Sequence, residues 1–499
     1  MRCIRLFPKI INYPISKSQY INFLKCTNSF YLHNQNLLEK SVTAHSGSLE
    51  WFDFVTLCTS EFEKKVTIQR NQSKTEQKEA TLLALANNQT ILGGYFESAL
   101  YSSYIDCLTP DPSENSWCLY EFRPVSSNKL DIIRSLYFQK KLLESFGLTI
   151  SEIKLIRIQS HYLMEGFILD RDSFLFTESL SEKLIKESVR FEDEWNLFLN
   201  FQSNPFFPNK EDLLPHCNSP KSCYATSLCF EDLESFEIFD LREGHELPKK
   251  LYLSGIKTFG EIPDEELNPI QKIQKNAHVT NCTHFDTMQL KQFFEGVTDT
   301  VCFLDFESIN PTIPIFPRTS PFQHVPFLFS LHIWDSKKDR VDFHSYIHPP
   351  ELGDPREIIL KELIKLIPKE TTIFSFNDFF EKKIIADLVK IFPEQTEFWD
   401  VIHPYFKDLA LPFKKFWIYS AKQKGKASLK EILPAFSDTN HVGLSIREGQ
   451  DANYQYLRLI KKQVTPEEKI RVLEDLVSYC KMDTFGLLIL YKMMKEKLS

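Results

Sequence analysis

The length and composition of the chain are those of a globular protein with more than one domain. Its 499 residues, 42% of them hydrophobic and 25% charged, exceed the roughly 250–300 residues at which a single core stops growing. The net charge of -8 excludes a uniformly basic nucleic-acid coat, although a local basic patch can still bind phosphates. No run of about 18 apolar residues occurs, so we expect no membrane-spanning helix.

The cysteines and the amino-terminal segment indicate a reducing compartment. Eleven cysteines are scattered along the chain, and such a pattern favours reduced thiols or metal ligands over a disulfide framework. The first apolar run is interrupted at Asn12 and Pro14 and lacks the small-residue cleavage site of a signal peptide. We therefore predict a cytoplasmic protein.

The predicted elements change character along the chain. Short apolar runs within residues 91–125 are separated by glycines and prolines, which is typical of β-hairpins. The spacing of apolar residues predicts helices at Leu130–Phe146 and Ser179–Phe201, followed by a cysteine-bearing loop at Pro215–Phe230 and a small helical connector. From Val301 strand-like and helical stretches alternate, which predicts an α/β layer domain.

Two acidic residues occupy one face of the first strand in that domain. Residues 300–308, TVCFLDFES, are apolar and β-prone, and the period of two places Asp305 and Glu307 on the same face. Adjacent carboxylates repel each other, and a buried pair persists when a cation such as Mg²⁺ neutralises it. A strand end with solvated acids is the alternative for this segment taken alone.

Further acids follow on two predicted helices. A strand at residues 371–376 leads into a helix that begins near Glu381, where an exposed acid would complement the helix dipole. The capping box at residues 465–468 opens a long helix whose apolar stripe includes Asp483, with Tyr479 one turn before it. A buried carboxylate without a partner costs several kcal/mol, so Asp483 should bind a metal or pair with a lysine.

In order and spacing, these residues resemble the three exonuclease motifs of the DEDD superfamily in its tyrosine variant. The three motifs are Asp305-x-Glu307, Asn377-x2-Phe380-Glu381 and Tyr479-x3-Asp483. More closely, four segments are similar to the bacterial family called domain of unknown function 2779. These segments are FLDFESINPTIPIFPRTSPFQHVPF, DPR at 354–356, SLKEILPAF at 428–436 and YCKMDT at 479–484.

The resemblance implies a ribonuclease H-like domain that hydrolyses phosphodiester bonds with Mg²⁺ or Mn²⁺. Asp305, Glu307 and Asp483 would bind the metal, and Glu381 would supply the fourth carboxylate that two-metal phosphoryl transfer needs. By the same resemblance, Tyr479 would orient or deprotonate the attacking water.

The second motif departs from the exonuclease pattern. Typical exonucleases end this motif in aspartate, whereas this chain has Glu381. The longer side chain could still reach a metal, or Asp378 or Asp408 could take its place.

A lysine-rich stretch precedes the third motif. Between Lys407 and Lys430 there are seven lysines, one acid and the aromatic residues Phe413, Phe416, Trp417 and Tyr419. That mixture suits phosphate contacts with base stacking, and a solvated lysine-rich loop is the alternative. The side chains predicted to contact a single-stranded end of DNA or RNA are Lys414, Lys415, Trp417 and Lys430.

The amino-terminal half contains a second acidic motif. Asp106 ends one strand-like run, and Glu121 and Arg123 share a face of the next. Together with Gln139 on the following helix, they resemble the RecB-like branch of the PD-(D/E)XK nucleases, which have lysine where this chain has arginine. Because arginine stays protonated, the resemblance implies a scaffold with weak or lost activity, and an ordinary exposed hairpin is the alternative.

Four cysteines form a second candidate metal site. Cys217, Cys223 and Cys229 lie at equal spacings, and Cys26 ends a helix-like segment. In RecB-like nucleases of the kind that the chain resembles, one early and three late cysteines hold a structural [4Fe–4S] cluster. Four thiolates can equally hold zinc, although the spacing is wider than that of the usual zinc pairs.

These observations predict an α/β chain with three segments. They are a RecB-like PD-(D/E)XK domain at residues 1–235, a helical connector at 236–295, and a DEDD-type exonuclease domain at 296–499 with a ribonuclease H-like mixed sheet flanked by helices. The predicted function is metal-dependent cleavage of DNA or RNA from a 3′ end. A catalytically silent nucleic-acid-binding or assembly module that retains both nuclease folds is the alternative. The lysine and aromatic stretch disfavours a third possibility, a small-molecule phosphohydrolase.

Overall fold

The chain forms two compact α/β units in a computed structural model. One unit comprises residues 1–43 and 50–234, and the other comprises residues 44–49 and 235–499. The described residues are 11–35, 46–62, 64–111, 115–203 and 237–498, together with Cys217, Ala225 and Cys229.

The first unit contains a seven-stranded mixed sheet. The strands are β1 (Ile15–Ser16), β2 (Lys65–Thr67), β3 (Thr90–Glu97), β4 (Tyr101–Asp111), β5 (Ser116–Phe122), β6 (Ile150–Ile158) and β7 (Leu175–Ser179). Their order is β2-β3-β4-β5-β6-β7, and β1 pairs with β4. Because β3, β4 and β5 are antiparallel neighbours, the predicted hairpins are confirmed.

Helices accompany this sheet in the described residues before position 204. They are α1 (Lys17–Lys25), α2 (Thr27–Asn34), α3 (Ser46–Thr59), α4 (Lys74–Ala86), α5 (Leu130–Glu144), α6 (Arg171–Phe174), α7 (Ser181–Lys186) and α8 (Ser188–Ser203). The predicted single helix Ser179–Phe201 is wrong, because it is divided between α7 and α8 at Glu187. Leu184 and Phe191, on either side of the break, are both in the same core, so helical spacing continues across it.

The second unit is built on a five-stranded mixed sheet and a two-stranded one. The strands are β8 (His284–Phe285), β9 (Thr300–Ile309), β10 (Val325–Asp335), β11 (Arg340–Ile347), β12 (Thr372–Ser375), β13 (Phe406–Asp408) and β14 (Ile418–Tyr419). The larger sheet has the order β11-β10-β9-β12-β13. Its β9, β10 and β11 are antiparallel, whereas β12 and β13 continue it in parallel from β9.

Helices accompany these sheets within the described part of the second unit. They are α9 (Leu247–Leu253), α10 (Pro269–Thr280), α11 (Thr287–Phe293), α12 (Arg356–Leu366), α13 (Phe379–Ile391), α14 (Thr396–Ile402), α15 (Leu411–Lys414), α16 (Leu429–Phe436), α17 (Gly449–Ile460) and α18 (Pro466–Glu496). None of the described helices combines the length and the apolar character that crossing a bilayer requires.

The two faces of β9 belong to different cores. Leu304 packs in a cluster with residues of α12 and α13, whereas Val301 and Phe303 pack with residues of α18. Because side chains alternate along a strand, Asp305 and Glu307 continue the face that α18 covers. The predicted strand and its shared acidic face are confirmed.

The long helix α18 is held against the sheet at several points. Thr465 caps its first turn by accepting a hydrogen bond from the Glu468 N–H at 3.2 Å, which is one of the two bonds of the predicted capping box; the Glu468 carboxylate pairs with Arg458 at 2.9 Å instead. Within α18, a Cβ added at Gly486 would lie 2.9 Å from Leu433 Cδ2. Glycine at this position therefore allows α16 to approach α18 closely.

The segment predicted as a helical connector packs within the second unit. Its strand β8 pairs with β14, and its Leu290 joins the same core cluster as Phe303 of β9. Residues 237–295 therefore share a core with the predicted exonuclease domain.

A buried histidine should make the second unit sensitive to acid. His332 shares a 2.8 Å hydrogen bond with Thr484 of α18, and burial lowers its pKa to about 4. The unfolded chain takes up this proton near pH 6.5, so the contribution to stability is complete above pH 6.5 and disappears as the pH falls towards 4. We expect His332→Gln to flatten that part of the stability profile by up to about 3 kcal/mol.

Thermal melts of the full chain between pH 7 and pH 4 would measure this effect. His403→Gln, which changes an exposed histidine of the same unit, is the matched control. An unchanged pH profile in the His332→Gln protein would show that other groups cause the acid sensitivity.

Candidate metal and catalytic site

A cavity of about 590 Å³ surrounds the second half of β9. Its walls come from β9, the start of α13, the start of α16, the start of α17, and α18. All five residues that the sequence predicted to be catalytic line it, namely Asp305, Glu307, Glu381, Tyr479 and Asp483. The fold thus brings together side chains that lie up to 178 residues apart in the sequence, from Asp305 to Asp483.

Three possible ligand groups lie close together, and two of them are on the wall of this cavity. Asp305, Glu307 and Cys480 each offer one ligand atom, and these atoms all lie within 4.8 Å of one another. Cys480 Sγ donates a hydrogen bond to Asp305 Oδ2 at 3.2 Å. The sequence grouped Asp483 with the two strand acids, whereas Cys480, on the preceding turn of α18, completes this closest group.

Asp483 lines the same cavity but has a partner of its own. His441 Nε2 donates a hydrogen bond to Asp483 Oδ1 at 2.8 Å, and the Asp483 residue is 9% exposed. The sequence predicted a metal ion or a lysine as the partner of Asp483. In the structure its hydrogen-bond partner is a histidine, which sequence reasoning missed. His441 lies between α16 and α17, where no hydrophobic period indicates which residue it faces.

Glu381 is buried, contrary to the interpretation of an exposed helix-start acid. It is 3% exposed, and its Oε2 atom has no hydrogen-bond partner in the part of the chain that the structure describes. Asp378 instead forms an ion pair with Lys382 at 2.5 Å, and Asp408 accepts a hydrogen bond from the Asn377 N–H at 2.9 Å. Neither aspartate lines the cavity, so the fourth carboxylate of the cavity is the glutamate of the motif.

Burial dominates the electrostatics of this cavity. It raises the pKa values of Asp305, Glu307 and Glu381 well above their ordinary range, and repulsion from neighbouring carboxyls raises them further. Burial likewise raises the pKa of the Tyr479 phenol. A cation would favour the ionised carboxylates, and the unpartnered Glu381 Oε2 leaves an acceptor available to it. The donor set therefore fits a divalent metal ion.

The lysine-rich stretch is only partly a surface. Phe413, Phe416 and Tyr419 are buried, and Trp417 packs against the core of the second unit. The base-stacking interpretation is therefore wrong for the three buried rings, and so is the argument that they disfavour a small-molecule substrate. Tyr419 is in β14, which pairs with β8, a partner that lies far away in the sequence, while Phe413 packs in the core of the second unit and Phe416 stacks on Tyr419.

The predicted lysines lie in different environments. Lys414 forms an ion pair with Asp408 at 3.1 Å, while Lys415 is exposed. Lys430 lines the cavity, and its Nζ lies 5.2 Å from the centre of the Tyr479 ring. Lys430 is therefore the predicted lysine that lies beside the acidic residues.

The acidic motif of the first unit is a compact ionic cluster. Glu121 is 0% exposed, accepts a hydrogen bond from Gln139 at 2.7 Å and pairs with Arg123. Lys17 of α1, which sequence reasoning missed, lies 3.2 Å from the same carboxylate. Asp106 accepts a hydrogen bond from a backbone N–H of β5 at 3.0 Å. The alternative of an ordinary exposed hairpin is wrong, because the central acid is fully buried.

Two cations face two acids in this cluster. Burial raises the pKa of Asp106 to about 6, and Glu121 adds to that effect. Burial also acts to raise the pKa of Glu121, but Lys17 and Arg123 outweigh it and lower the value. The protein therefore supplies positive charge from its own side chains here, in contrast to the cavity of the second unit.

Three of the four cysteines in the predicted cluster are described. Cys26 caps the start of α2, where its Sγ accepts a hydrogen bond from the Ser29 N–H at 3.4 Å. Cys229 Sγ lies 3.8 Å from the side-chain nitrogen of Asn28 in the same turn, and Cys217 is half-buried. Cys223 lies outside the described residues. The contacts of Cys26 and Cys229 bring an early and a late cysteine to the same end of α2.

Comparison with known proteins gives one match. The family model described as "Domain of unknown function (DUF2779)" matches residues 302–428, which supports the predicted resemblance over that segment. No curated protein and no solved structure matches the chain. The matched segment includes Asp305, Glu307 and Glu381, while Tyr479 and Asp483 follow it.

The ionic cluster of the first unit should depend on its own cations. We expect Lys17→Met and Arg123→Met each to destabilise the first unit by about 1–3 kcal/mol, because a buried carboxylate loses a charge partner. Adding Glu121→Gln to either variant should restore part of the loss. Hydrogen exchange of the β5 amides in the full chain would measure local stability without assuming two-state unfolding.

Mg²⁺ provides the contrasting test of this cluster. If Mg²⁺ protected β5 from exchange while both charge variants behaved like the wild type, the cluster would be a metal site and the ionic explanation would be wrong.

Proposed function

We propose that the second unit is a metal-dependent nuclease that hydrolyses phosphodiester bonds at single-stranded ends of DNA or RNA. The observation that carries the proposal is the single cavity lined by Asp305, Glu307, Glu381, Tyr479 and Asp483. Four carboxylates from three elements, β9, α13 and α18, are the kind of set that two-metal phosphoryl transfer requires. The mixed sheet, with its antiparallel and parallel halves, supports a ribonuclease H-like fold of the DEDD type.

The buried acids have a defined task in this proposal. Asp305, Glu307, Glu381 and Asp483 would hold Mg²⁺ or Mn²⁺. Such ions, when bound, lower the pKa of an attacking water and stabilise the leaving oxygen. His441, through its hydrogen bond to Asp483, orients that carboxylate.

Tyr479 would orient the attacking water. Because its pKa is raised by burial and by the neighbouring carboxylates, the phenol keeps its proton at neutral pH. A protonated phenol both donates and accepts hydrogen bonds, which suits positioning of the water better than deprotonating it.

The rest of the cavity suits a nucleotide. Phe376 and Phe380 line it together with Tyr479, and aromatic rings of this kind stack on bases. Lys430 lies beside them and can contact a phosphate. The volume of about 590 Å³ falls within the roughly 300–1,000 Å³ of ordinary ligand pockets. These features suit one nucleotide, and by resemblance it would belong to the 3′ end of a polynucleotide.

Charge-removing substitutions test the catalytic assignment. Asp305→Asn and Asp483→Asn keep the side-chain volume but remove a metal-binding charge, so each should reduce hydrolysis by about a thousandfold or more. Binding should persist, because phosphates are repelled less. Tyr479→Phe should slow hydrolysis by about tenfold to a hundredfold. Degradation of labelled single-stranded DNA and RNA with Mg²⁺ or Mn²⁺ measures the rates, and fluorescence anisotropy measures binding.

Glu121→Gln in the first unit is the matched control. If it alone eliminated cleavage while Asp305→Asn did not, the catalytic site would be the one in the first unit. If the wild-type protein bound strands but cleaved none of them, the silent-module alternative would replace the nuclease proposal.

For the first unit we propose a RecB-like scaffold with a structural four-cysteine site. The meeting of Cys26 and Cys229 at α2 supports the site, and Cys217 and Cys223 would complete it. A [4Fe–4S] cluster is the proposed occupant and zinc the alternative. The neutralised Glu121 cluster supports a structural rather than a catalytic role for this unit.

The colour of the purified protein distinguishes the two metals. Anaerobically purified protein should be brown, because thiolate-ligated iron–sulfur clusters absorb visible light and zinc sites do not. Cys223→Ser should lower both the metal content and the melting temperature of the first unit, since metal binding contributes folding energy at such sites. Cys118→Ser, which changes a half-buried cysteine of β5, is the control. Colourless protein with stoichiometric zinc would refute the cluster, and protein without either metal would refute the site.

A further inference from the structure

We infer that Cys480, together with Asp305 and Glu307 of the cavity wall, forms a site for a thiophilic divalent cation of the Zn²⁺ class. The ligands would be one carboxylate oxygen each from Asp305 and Glu307, and the sulfur of Cys480. The binding site rests on its own geometry, while its consequence, inhibition of hydrolysis, rests on the proposed nuclease function.

The geometry places sulfur and oxygen within reach of one ion. The three ligand atoms lie within 4.8 Å of one another, and Cys480 Sγ lies 3.2 Å from Asp305 Oδ2. Zinc bonds of about 2.3 Å to sulfur and about 2.1 Å to oxygen are long enough to span that separation.

A second observation is a buried carboxylate oxygen that lacks a partner in the same cavity. Glu381, which is 3% exposed, lines the cavity, and its Oε2 has no hydrogen-bond partner among the described residues. An unpaired buried oxygen is costly, and a cation in the cavity offers it a partner. The site therefore has a potential fourth donor besides the three that lie closest together.

The mixed ligand set favours one class of metal. Carboxylates alone suit Mg²⁺, which takes oxygen ligands, whereas thiolate ligands select softer ions such as Zn²⁺. When the sulfur–metal bond forms, the thiol proton leaves to solvent, and the metal gains a thiolate. Asp305 and Glu307 cannot then bind Mg²⁺. A thiophilic ion should therefore inhibit the nuclease.

Burial of a cysteine in this unit does not by itself place carboxyl groups beside it. Cys302, on the opposite face of β9, is also fully buried, but it lies in an apolar cluster with Leu304 and Ile359. Cys480 shares its burial but faces two carboxylates. The pair of cysteines therefore provides a matched comparison within one unit.

The test is a Cd²⁺ titration of the full chain as purified, without added metal, followed by ultraviolet absorbance. Cd²⁺ resembles Zn²⁺ in its preference for sulfur, and each thiolate bound to it adds a charge-transfer band. We expect Cys480→Ser to lack one thiolate's share of this band and to bind Zn²⁺ at least about tenfold more weakly, the lower end of metal-site effects. Cys302→Ser should match the wild type. Signals from the remaining cysteines cancel in the difference spectra.

Further variants guard against a folding effect. Melting temperatures of all proteins would be measured, and Cys480→Ala would replace Cys480→Ser if the serine variant failed to fold. Asp305→Asn keeps the thiol but removes a ligand charge, so it should also weaken the Cd²⁺ band. Identical titrations of the wild type, the Cys480 variant and Asp305→Asn would overturn the inference, as would an equal loss in Cys302→Ser.

Hydrolysis assays separate this inference from the nuclease proposal. If the protein is a nuclease, Zn²⁺ should inhibit the wild type at concentrations about tenfold below those that inhibit Cys480→Ser. A protein that cleaves no strand but shows the Cys480-dependent Cd²⁺ band would keep the metal site and lose the nuclease. An active nuclease without that band would keep the function and lose the thiophilic site.

Discussion

The burial of several carboxyls in one place is the constraint on which the second unit depends. Asp305 and Glu307 share one face of β9 beneath α18, where burial and then repulsion from neighbouring carboxyls, including Asp483 in both cases, raise their pKa values. Among the described residues, Lys430 acts on Glu307 from a distance but forms no ion pair with it. Without a cation these groups favour protonation, and with one they become ligands. Protonation of these carboxyls and metal binding in the cavity are therefore alternatives.

The first unit neutralises its buried acid with cationic side chains of its own. Its buried Glu121 is surrounded by Lys17, Arg123 and Gln139, all within hydrogen-bonding reach. The positive charges of that cluster belong to side chains of the protein itself, and these side chains occupy the space around the carboxylate. One chain therefore contains two buried acidic clusters, of which one is neutralised by the fold itself and the other is not. This difference, rather than the number of acids, is the reason for assigning catalysis to the second unit.

Periodic features of the site could be predicted from sequence, whereas its long-range contacts could not. A period of two placed Asp305 and Glu307 on one face, and the helical stripe placed Asp483 on the buried side of α18. The contact of His441 with Asp483 and that of Lys17 with Glu121 span 42 and 104 residues, and neither has a local pattern. The buried ring of Tyr419 was misinterpreted for the same reason, because its burial follows from strand pairing with residues near 285.

The chemistry of the cavity also depends on packing remote from it. Tyr479, Cys480 and Asp483 occupy neighbouring turns of α18, so a rotation of that helix would exchange which of them faces β9. Contacts outside the cavity oppose such a rotation. Thr484 is hydrogen-bonded to His332 of β10, and Gly486 lets Leu433 of α16 approach closely. Because these contacts lie on different elements, they fix the rotation of the helix from two directions. Thr484 and Gly486 do not line the cavity. Their contacts nevertheless place the thiol of Cys480 against Asp305 and the ring of Tyr479 beside the cavity.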